Sequence, residues 1–169
     1  LVQGSHHFRN FSDEIYRVAE LSLSQIFDLC YEETCNKMKL TPLEVKYRNW
    51  GLLGLGKFGG NELGYASDLE IIIVFKLDDN HPKFNSDFYK RAVQLLRKSY
   101  LAKSHGVFEL DFRLRPHGDA GPIASNFDRY KEYFRPGGQA HQIEKQAQIR
   151  MKMISGDEVL GKECNEFRN

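Results

Sequence analysis

The hydrophobic positions in the first part of the chain recur with the period of a helix. Over residues 12–38 the apolar side chains at helical spacing are Ile15, Val18, Ala19, Leu21, Leu23, Ile26, Phe27 and Cys30. This predicts a long amphipathic helix, for which Ser12 is a suitable N-cap. Residues 1–11 precede the pattern and are predicted to form an N-terminal extension with a tendency to disorder. Thr41 and Glu44 have the spacing of a capping box, which predicts a short helical turn after the long helix.

The middle of the chain alternates between strand-like and helix-like segments. Residues 47–55 predict a strand that runs into a glycine-rich segment. Residues 69–77 are β-branched and almost continuously apolar, as expected for a strand buried on both faces. A second amphipathic helix is predicted over residues 86–104, and the alternating residues 107–114 predict another strand.

The last third of the chain completes this alternation. Helices are predicted over residues 127–134 and 140–149, followed by a short strand over residues 150–154. Gly156 and Asp157 then introduce a terminal helix. Strands and helices in this order predict a compact α/β or α+β unit around a small sheet.

The composition is that of one globular domain. The chain has 169 residues, of which 41% are hydrophobic and 28% charged, so we assign residues 12–169 to a single domain. The net charge of +1 gives no overall attraction to nucleic acid or to an anionic membrane, so neither is an expected partner. Three cysteines without a pairing motif and the lack of an apolar run of about 18 residues predict a cytoplasmic protein. Because the chain begins with Leu1 rather than Met, we expect a piece of a longer protein.

Two pairs of acidic residues stand at strand-like spacing. Asp68 and Glu70 lie two apart at the start of the most apolar strand, and Glu109 and Asp111 repeat this spacing on the next predicted strand. Side chains two apart emerge on the same face of a strand, so adjacent strands would gather three or four carboxylates. Such a cluster needs a cation, and oxygen ligands without Cys or His favour Mg²⁺ or Mn²⁺ bound together with substrate phosphates. The alternative is a strand cap at Asp68 and solvated acids that face lysines.

A glycine-rich segment precedes the first acidic pair. Residues 54–59 fit the dinucleotide-binding pattern GxGxxG, and Asp78 lies about 20 residues further on. The crossover helix of that motif would span residues 57–67, where three glycines and the lack of an apolar stripe argue against a helix. We therefore favour a turn whose backbone N–H groups bind a triphosphate. A glycine-rich turn without a ligand is the alternative.

Basic side chains near these motifs are candidates for phosphate binding. Arg113 and Arg115 continue the spacing of Glu109 and Asp111, which predicts that they reach the same face. A guanidinium can hold phosphate oxygens through two hydrogen bonds, but pairing with the neighbouring acids is an equally good interpretation. Lys57, within the glycine-rich segment, is a weaker candidate of the same kind.

Several segments together resemble the bifunctional glutamine synthetase adenylyltransferase/adenylyl-removing enzymes. They are GLGKFGGNELGYASDLE at residues 54–70, ELDFRLRPHG at 109–118, GPI at 121–123 and EKQAQIR at 144–150. Their order and spacing match over about residues 12–160, which makes the resemblance more specific than any single motif. It implies the DNA polymerase β-like nucleotidyltransferase fold, with a small mixed sheet flanked by helices.

The resemblance also implies a set of site residues for ATP and its metal ion, Mg²⁺ or Mn²⁺. The catalytic carboxylates would be Asp68, Glu70 and Asp111. They would also bind the metal, with Glu109 as a further candidate ligand. The groups expected to bind the nucleotide phosphates are Gly59, Gly60, Lys57, Ser67, Arg113 and Arg115. The family usually has aspartate where this chain has Glu70, so the metal geometry and the rate are open questions there.

The family enzyme has two such domains with opposite activities in one long chain, whereas this chain has room for one. Residues 62–65 and 145–150 resemble the adenylylating copy and residues 121–123 the removing copy, so the direction stays open, with adenylylation favoured. The implied partners are glutamine synthetase as protein substrate and a PII-type signal protein that acts through the full-length chain. Two alternatives stay open: a degenerate domain that binds nucleotide or a partner without catalysis, and a small-molecule nucleotidyltransferase.

Overall fold

The computed structural model describes residues 3–102 and 108–168, and within them seven helices and five strands. The helices are α1 Gln3–Lys37, α2 Pro42–Val45, α3 Gly56–Gly59, α4 Ser86–Ala102, α5 Phe127–Phe134, α6 Gln142–Gln148 and α7 Glu158–Arg168. The strands are β1 Trp50–Gly54, β2 Leu69–Phe75, β3 Leu110–Asp111, β4 Ser125–Asn126 and β5 Lys152–Gly156. A 3₁₀ turn spans Gly118–Ala120.

The five strands form one small mixed sheet. Its order is β3-β2-β1-β5, and β4 pairs with the other end of β2. Strand β1 is antiparallel to β2 and β5, whereas β2 is parallel to β3 and β4. Because β1 and β2 are antiparallel, the glycine-rich segment between them is not the crossover of a dinucleotide-binding unit. The predicted class, a small mixed sheet flanked by helices, is confirmed, and it is consistent with a nucleotidyltransferase-like fold.

Each face of the sheet carries its own hydrophobic core, because β2 is apolar on both sides. The odd-numbered residues from Leu69 to Phe75 pack with residues of α1 and α4, in a core that includes Trp50. On the other face, Ile72 and Val74 pack with residues of α5 and α7. Burial of each of these side chains stabilises the fold by about 1.5–3 kcal/mol. The nearly continuous apolar run therefore indicated a doubly covered strand correctly.

Helix α1 begins earlier than the sequence predicts. It starts at Gln3, so residues 3–11 are helical and Ser12 is not the N-cap. The Ser12 hydroxyl instead donates to the backbone oxygen of Leu63 at 2.8 Å. The N-cap prediction was wrong because the preference of helix N-caps for serine does not show which group the hydroxyl binds. In the folded chain this hydroxyl binds a residue that is distant in sequence. The division of the chain at residue 12 stays a prediction.

The predicted capping box is present before α2. The Thr41 hydroxyl accepts the backbone N–H of Glu44 at 3.3 Å, and the Glu44 carboxylate accepts the backbone N–H of Thr41 at 2.8 Å. Lys83 adds an ion pair to Glu44 at 2.9 Å. The hydrogen bond from the Thr41 backbone, followed by those from Lys83 and the Thr41 hydroxyl, lowers the pKa of Glu44 to about 2. These contacts hold the connection between α1 and β1.

The strand predicted over residues 107–114 is shorter than expected. Leu110–Asp111 pairs with β2, and the predicted first residue, Val107, lies outside the described residues. After Asp111 the chain turns, because the Asp111 carboxylate accepts the backbone N–H of Arg113 at 2.8 Å. This local hydrogen bond competes with an extended backbone. Arg113 and Arg115 are therefore not on a strand, and the predicted alternation does not extend to them.

The other predicted boundaries within the described residues lie within a few residues of the observed ones, and the predicted end of the second amphipathic helix at residue 104 lies outside the described residues. Helix α5 has the predicted bounds, Phe127–Phe134. The short strand predicted over residues 150–154 is shifted to Lys152–Gly156. Over the ranges that the structure describes, no helix is both long and apolar enough to cross a bilayer.

Candidate active site

Two of the predicted carboxylates are neighbours across adjacent strands. Glu70 of β2 is the register partner of Asp111 of β3, and these strands are parallel. Asp68 lies just before β2, and its spacing of two from Glu70 favours the same face of the sheet. This face also carries Ile72 and Val74, where residues of α5 and α7 cover it. Asp68 is exposed and the other two acids are half-buried, so the carboxylates lie at the open end of that face.

A cavity of about 400 Å³ opens beside Asp68 and Asp111, whereas Glu70 is not among the residues that line it. Its acidic lining residues are Asp68, Glu109, Asp111 and Asp119. Its basic lining residues are Arg97, Arg113 and Arg115. The volume lies in the range of small-molecule sites, and a lining of both signs suits phosphates that arrive with divalent ions.

The carboxylate of Asp111 is held by Arg113. The guanidinium donates from Nε to both carboxylate oxygens, at 3.0 and 3.1 Å, and from Nη2 to Oδ2 at 2.7 Å. Burial raises the pKa of Asp111, but the hydrogen bonds from the Arg113 side chain and backbone outweigh it and hold the pKa below its ordinary value. Asp111 is therefore ionised at neutral pH, as a metal ligand has to be.

The carboxylate of Glu70 points towards the glycine-rich segment. Its Oε2 accepts the backbone N–H of Lys57 at 3.2 Å. It also fills the space next to Gly56, where a Cβ atom would lie 1.8 Å from Glu70 Oε2. Gly56 has a φ of +49°, so its backbone conformation and its contact with Glu70 both favour a residue without a side chain.

The predicted ligands carry carboxylate oxygens, which are the donors that a hard divalent cation prefers. Asp68, Glu70 and Asp111 offer only oxygens, and the last two are register partners on adjacent strands. In residues 3–102 and 108–168, no three acidic, His or Cys side chains are gathered closely enough to hold an ion. The carboxylates of Glu70 and Asp111 bind protein N–H groups instead, so each would have to exchange such a contact for a shared ion: Glu70 that with the Lys57 backbone, Asp111 that with the Arg113 guanidinium. The assignment of these three residues and of Glu109 as metal ligands stays a prediction.

Gly59 and Gly60 have different surroundings. A Cβ atom at Gly59 would lie 2.1 Å from the backbone oxygen of Arg150 and 2.5 Å from that of Gly54. Packing therefore requires glycine at this position whether or not a nucleotide binds. At Gly60 the nearest atom would be Cδ of the Arg150 side chain at 3.0 Å, which can move. The role of both glycines in phosphate binding stays a prediction.

The other predicted phosphate-binding residues differ in how freely they can reach a ligand. Lys57 is exposed, and the Arg113 side chain is 70% exposed. Ser67 accepts a backbone N–H of its own loop at 2.9 Å. Arg115 is buried and donates to the backbone oxygen of Phe112 at 2.7 Å, so it orders the turn after β3. Lys57 and Arg113 are thus the more accessible candidates, and the roles of all four stay predictions.

Comparison of the whole chain with known proteins identifies its family. The family model described as glutamate-ammonia ligase adenylyltransferase matches residues 2–167. The chain belongs to this family. The resemblance inferred from its motifs is thereby confirmed for nearly the whole length of the chain.

Several curated proteins named bifunctional glutamine synthetase adenylyltransferase/adenylyl-removing enzyme are similar to this member of the adenylyltransferase family. The protein of Chromobacterium violaceum is 35% identical over 161 residues, 94% of this chain and 17% of that protein. The protein of Nitrosomonas eutropha is 30% identical over 168 residues, 99% of this chain and 17% of that protein. The protein of Thioalkalivibrio sulfidiphilus is 36% identical over 118 residues, 66% of this chain and 12% of that protein. The chain therefore spans about a sixth of the length of its relatives.

Sequence patterns do not single out two arginines of this adenylyltransferase-family chain: Arg97, at the cavity beside Asp68 and Asp111, and Arg150, at a second cavity that Gly59 and Gly60 line. Arg97 of α4 lines the cavity, but in the sequence it is an ordinary polar position of an amphipathic helix and carries no signal. Arg150 lies against Gly60 and forms an ion pair with Glu62. It belongs to the EKQAQIR segment of the family resemblance, so that segment was a signal that could have identified it.

Proposed function

We propose that this chain is a metal-dependent nucleotidyltransferase domain that transfers AMP from ATP to a tyrosine of glutamine synthetase, or removes that AMP by phosphorolysis. The observation that carries the proposal is the register of Glu70 opposite Asp111, together with the cavity that Asp68 and Asp111 both line. Membership of the adenylyltransferase family and the names of the relatives support AMP as the transferred group.

Different residues of the site would hold the metal ion and contact the phosphates of ATP. The three carboxylates, with Glu109, would hold Mg²⁺ or Mn²⁺, which neutralises charge on the α-phosphate and on the departing pyrophosphate. The backbone N–H groups of Gly59 and Gly60 donate to the carbonyl oxygens of Leu55 and Gly56, at 2.8 and 3.0 Å, so these two glycines would serve by letting the phosphates approach the backbone closely. Lys57 and Arg113 would contact the phosphate oxygens through their charge. The domain thus acts by positioning its substrates and neutralising their charge.

Adenylylation and the removal of AMP both replace one P–O bond at the phosphorus of AMP with another. In adenylylation, the tyrosine oxygen loses its proton and attacks the α-phosphorus of ATP, and pyrophosphate leaves. In removal, inorganic phosphate attacks the phosphorus of the tyrosine-bound AMP, so that ADP forms and the tyrosine oxygen recovers a proton. The motifs carry features of both directions, and we propose adenylylation as the first to test.

Partners and location are part of the same proposal. Glutamine synthetase is the proposed protein substrate, and the cytoplasm is the proposed location. The chain spans only 17% of the Chromobacterium violaceum relative, so a PII-type signal protein would act through parts of the protein outside this chain. With a net charge of +1, neither nucleic acid nor a membrane is proposed as a partner.

The test is incubation of the chain with α-labelled ATP, Mg²⁺ and glutamine synthetase, and in parallel with adenylylated glutamine synthetase and phosphate. We expect label on glutamine synthetase, or ADP released from its adenylylated form, and loss of either product when the divalent ion is chelated. If the chain binds ATP but neither product forms, the proposed activity is wrong.

A second candidate is a degenerate domain that binds nucleotide or a protein partner without catalysis. It is favoured by the contact of the Glu70 carboxylate with the Lys57 backbone, because a metal site would be incomplete while Glu70 is bound there. The substitution Glu70→Asp separates the candidates. An active domain should keep or gain turnover from the shorter side chain, whereas a degenerate domain should show none before or after the change.

A further inference from the structure

Arg113 binds the same carboxylate that the proposed function assigns to a metal ion. Three N–O contacts of 2.7–3.1 Å join its guanidinium to both carboxylate oxygens of Asp111. The two side chains differ in freedom, because that of Arg113 is 70% exposed and that of Asp111 only 13%. The carboxylate is held by the sheet and the turn, whereas the guanidinium lies at the end of a long, solvated side chain. The guanidinium is therefore the partner that can leave.

A divalent cation and the guanidinium compete for these oxygens. The two cations repel each other when both lie next to one carboxylate. The backbone N–H of Arg113, 2.8 Å from Oδ1, belongs to the turn and can stay in place when the side chain moves. Arg113 and Asp111 line the same cavity, so a displaced guanidinium enters the space where the nucleotide phosphates are proposed to bind. A guanidinium binds phosphate oxygens through bidentate hydrogen bonds, as it binds a carboxylate.

We propose that Arg113 is a positioning residue with two alternative partners: it holds Asp111 until a divalent cation binds there, and it then binds the nucleotide phosphates. The proposal rests on the proposed function, because it takes Asp111 as a metal ligand and ATP as the substrate. Its consequence is that metal and nucleotide increase each other's affinity, since each favours the same position of Arg113. Arg115 lines the same cavity but cannot take this role, because it is buried and bound to backbone oxygen.

The test measures Mn²⁺ binding by isothermal titration calorimetry, first without nucleotide and then with α,β-methylene-ATP, which is not cleaved at the α-phosphate. Without nucleotide, Arg113→Ala should bind Mn²⁺ about five- to tenfold more tightly than wild type, because a competing cation is gone. With the nucleotide, this advantage should disappear or reverse, because the phosphate contact is gone as well. Arg113→Lys keeps the charge but lacks the planar fork, so its Mn²⁺ affinity should fall between the two.

The matched control is Arg91→Ala, which removes an exposed arginine from a 2.7 Å pair with Asp87 on α4 and changes the net charge by the same amount. If Arg113→Ala binds Mn²⁺ no more tightly than Arg91→Ala, the inference is wrong. The variant Asp111→Asn then tests separately whether Asp111 belongs to a metal site. Loss of Mn²⁺ binding in Asp111→Asn upholds the metal site even when the inference about Arg113 fails. Equal binding by wild type and Asp111→Asn overturns both. Thermal midpoints check that every variant is folded.

Discussion

The contact between Gly56 and Glu70 gives a quantitative prediction about the link between the glycine-rich segment and the acidic strand. Gly56 has a φ of +49°, and a Cβ atom there would lie 1.8 Å from Oε2 and 2.7 Å from Cδ of Glu70. Alanine at this position has two effects on stability. The left-handed backbone costs about 1–2 kcal/mol. Displacing the Glu70 carboxylate from the Lys57 N–H costs about 1 kcal/mol more, so Gly56→Ala should lower the free energy of unfolding by about 2–3 kcal/mol.

A double-mutant cycle separates the two effects. In a Glu70→Ala background there is no carboxylate to displace, so Gly56→Ala should cost only the backbone contribution of about 1–2 kcal/mol. The difference, about 1 kcal/mol, is the coupling energy between the two positions, and urea unfolding of the four proteins measures it. Gly137→Ala is the matched control, because Gly137 has a φ of +75° and nothing within 4 Å of a Cβ atom. A coupling energy below about 0.3 kcal/mol would refute the placement of Glu70 against Gly56.

Further predictions concern Gly60 and the capping box. ATP with Mg²⁺ should raise the thermal midpoint of wild type, and Gly60→Val should abolish that rise. The apo fold should be kept, because the atom nearest to a Cβ at Gly60 is Cδ of the movable Arg150 side chain, at 3.0 Å, and the Gly56 backbone oxygen lies further away, at 3.2 Å. Differential scanning fluorimetry measures this, and an unchanged rise would exclude nucleotide binding at Gly60. The pKa of Glu44 is lowered from 4.5 to about 2, so its carboxylate contributes stability that is present above about pH 4.5 and is lost as the pH falls towards 2. Glu44→Gln should therefore be less stable than wild type at pH 7 and lose less stability on acidification, and identical acid-unfolding profiles would contradict this.

The parts of the fold that could be predicted are those where local pattern and tertiary contacts agree. The apolar run of β2 is buried on both faces, as its composition indicates. The capping box of Thr41 and Glu44 involves only residues close in sequence, so their spacing of three residues was sufficient to predict it. The common face of Glu70 and Asp111 follows from strand alternation once the two strands pair.

The details of the site that could not be predicted depend on contacts between distant residues or on a local turn. Gly59 has to be glycine because of the backbone of Arg150, which no local pattern reveals. Arg113 leaves the strand alternation because the Asp111 side chain bonds to its backbone and ends β3. The direction of the Glu70 side chain is set by an N–H group of the glycine-rich segment, on another element. A sequence pattern places such residues on a face but does not indicate where their side-chain ends lie.

The central claim is that the carboxylates on the shared face carry AMP transfer, and one assay tests it most directly. It measures label transfer from α-labelled ATP to glutamine synthetase, and ADP formation from the adenylylated form, for wild type, Asp68→Asn and the control Asp79→Asn, an exposed acid beyond the other end of β2. We expect wild type and Asp79→Asn to turn over equally in at least one direction, and Asp68→Asn to be slower by more than about a hundredfold, because it would remove a negative ligand from the proposed metal ion. Equal turnover by Asp68→Asn and wild type would contradict the account.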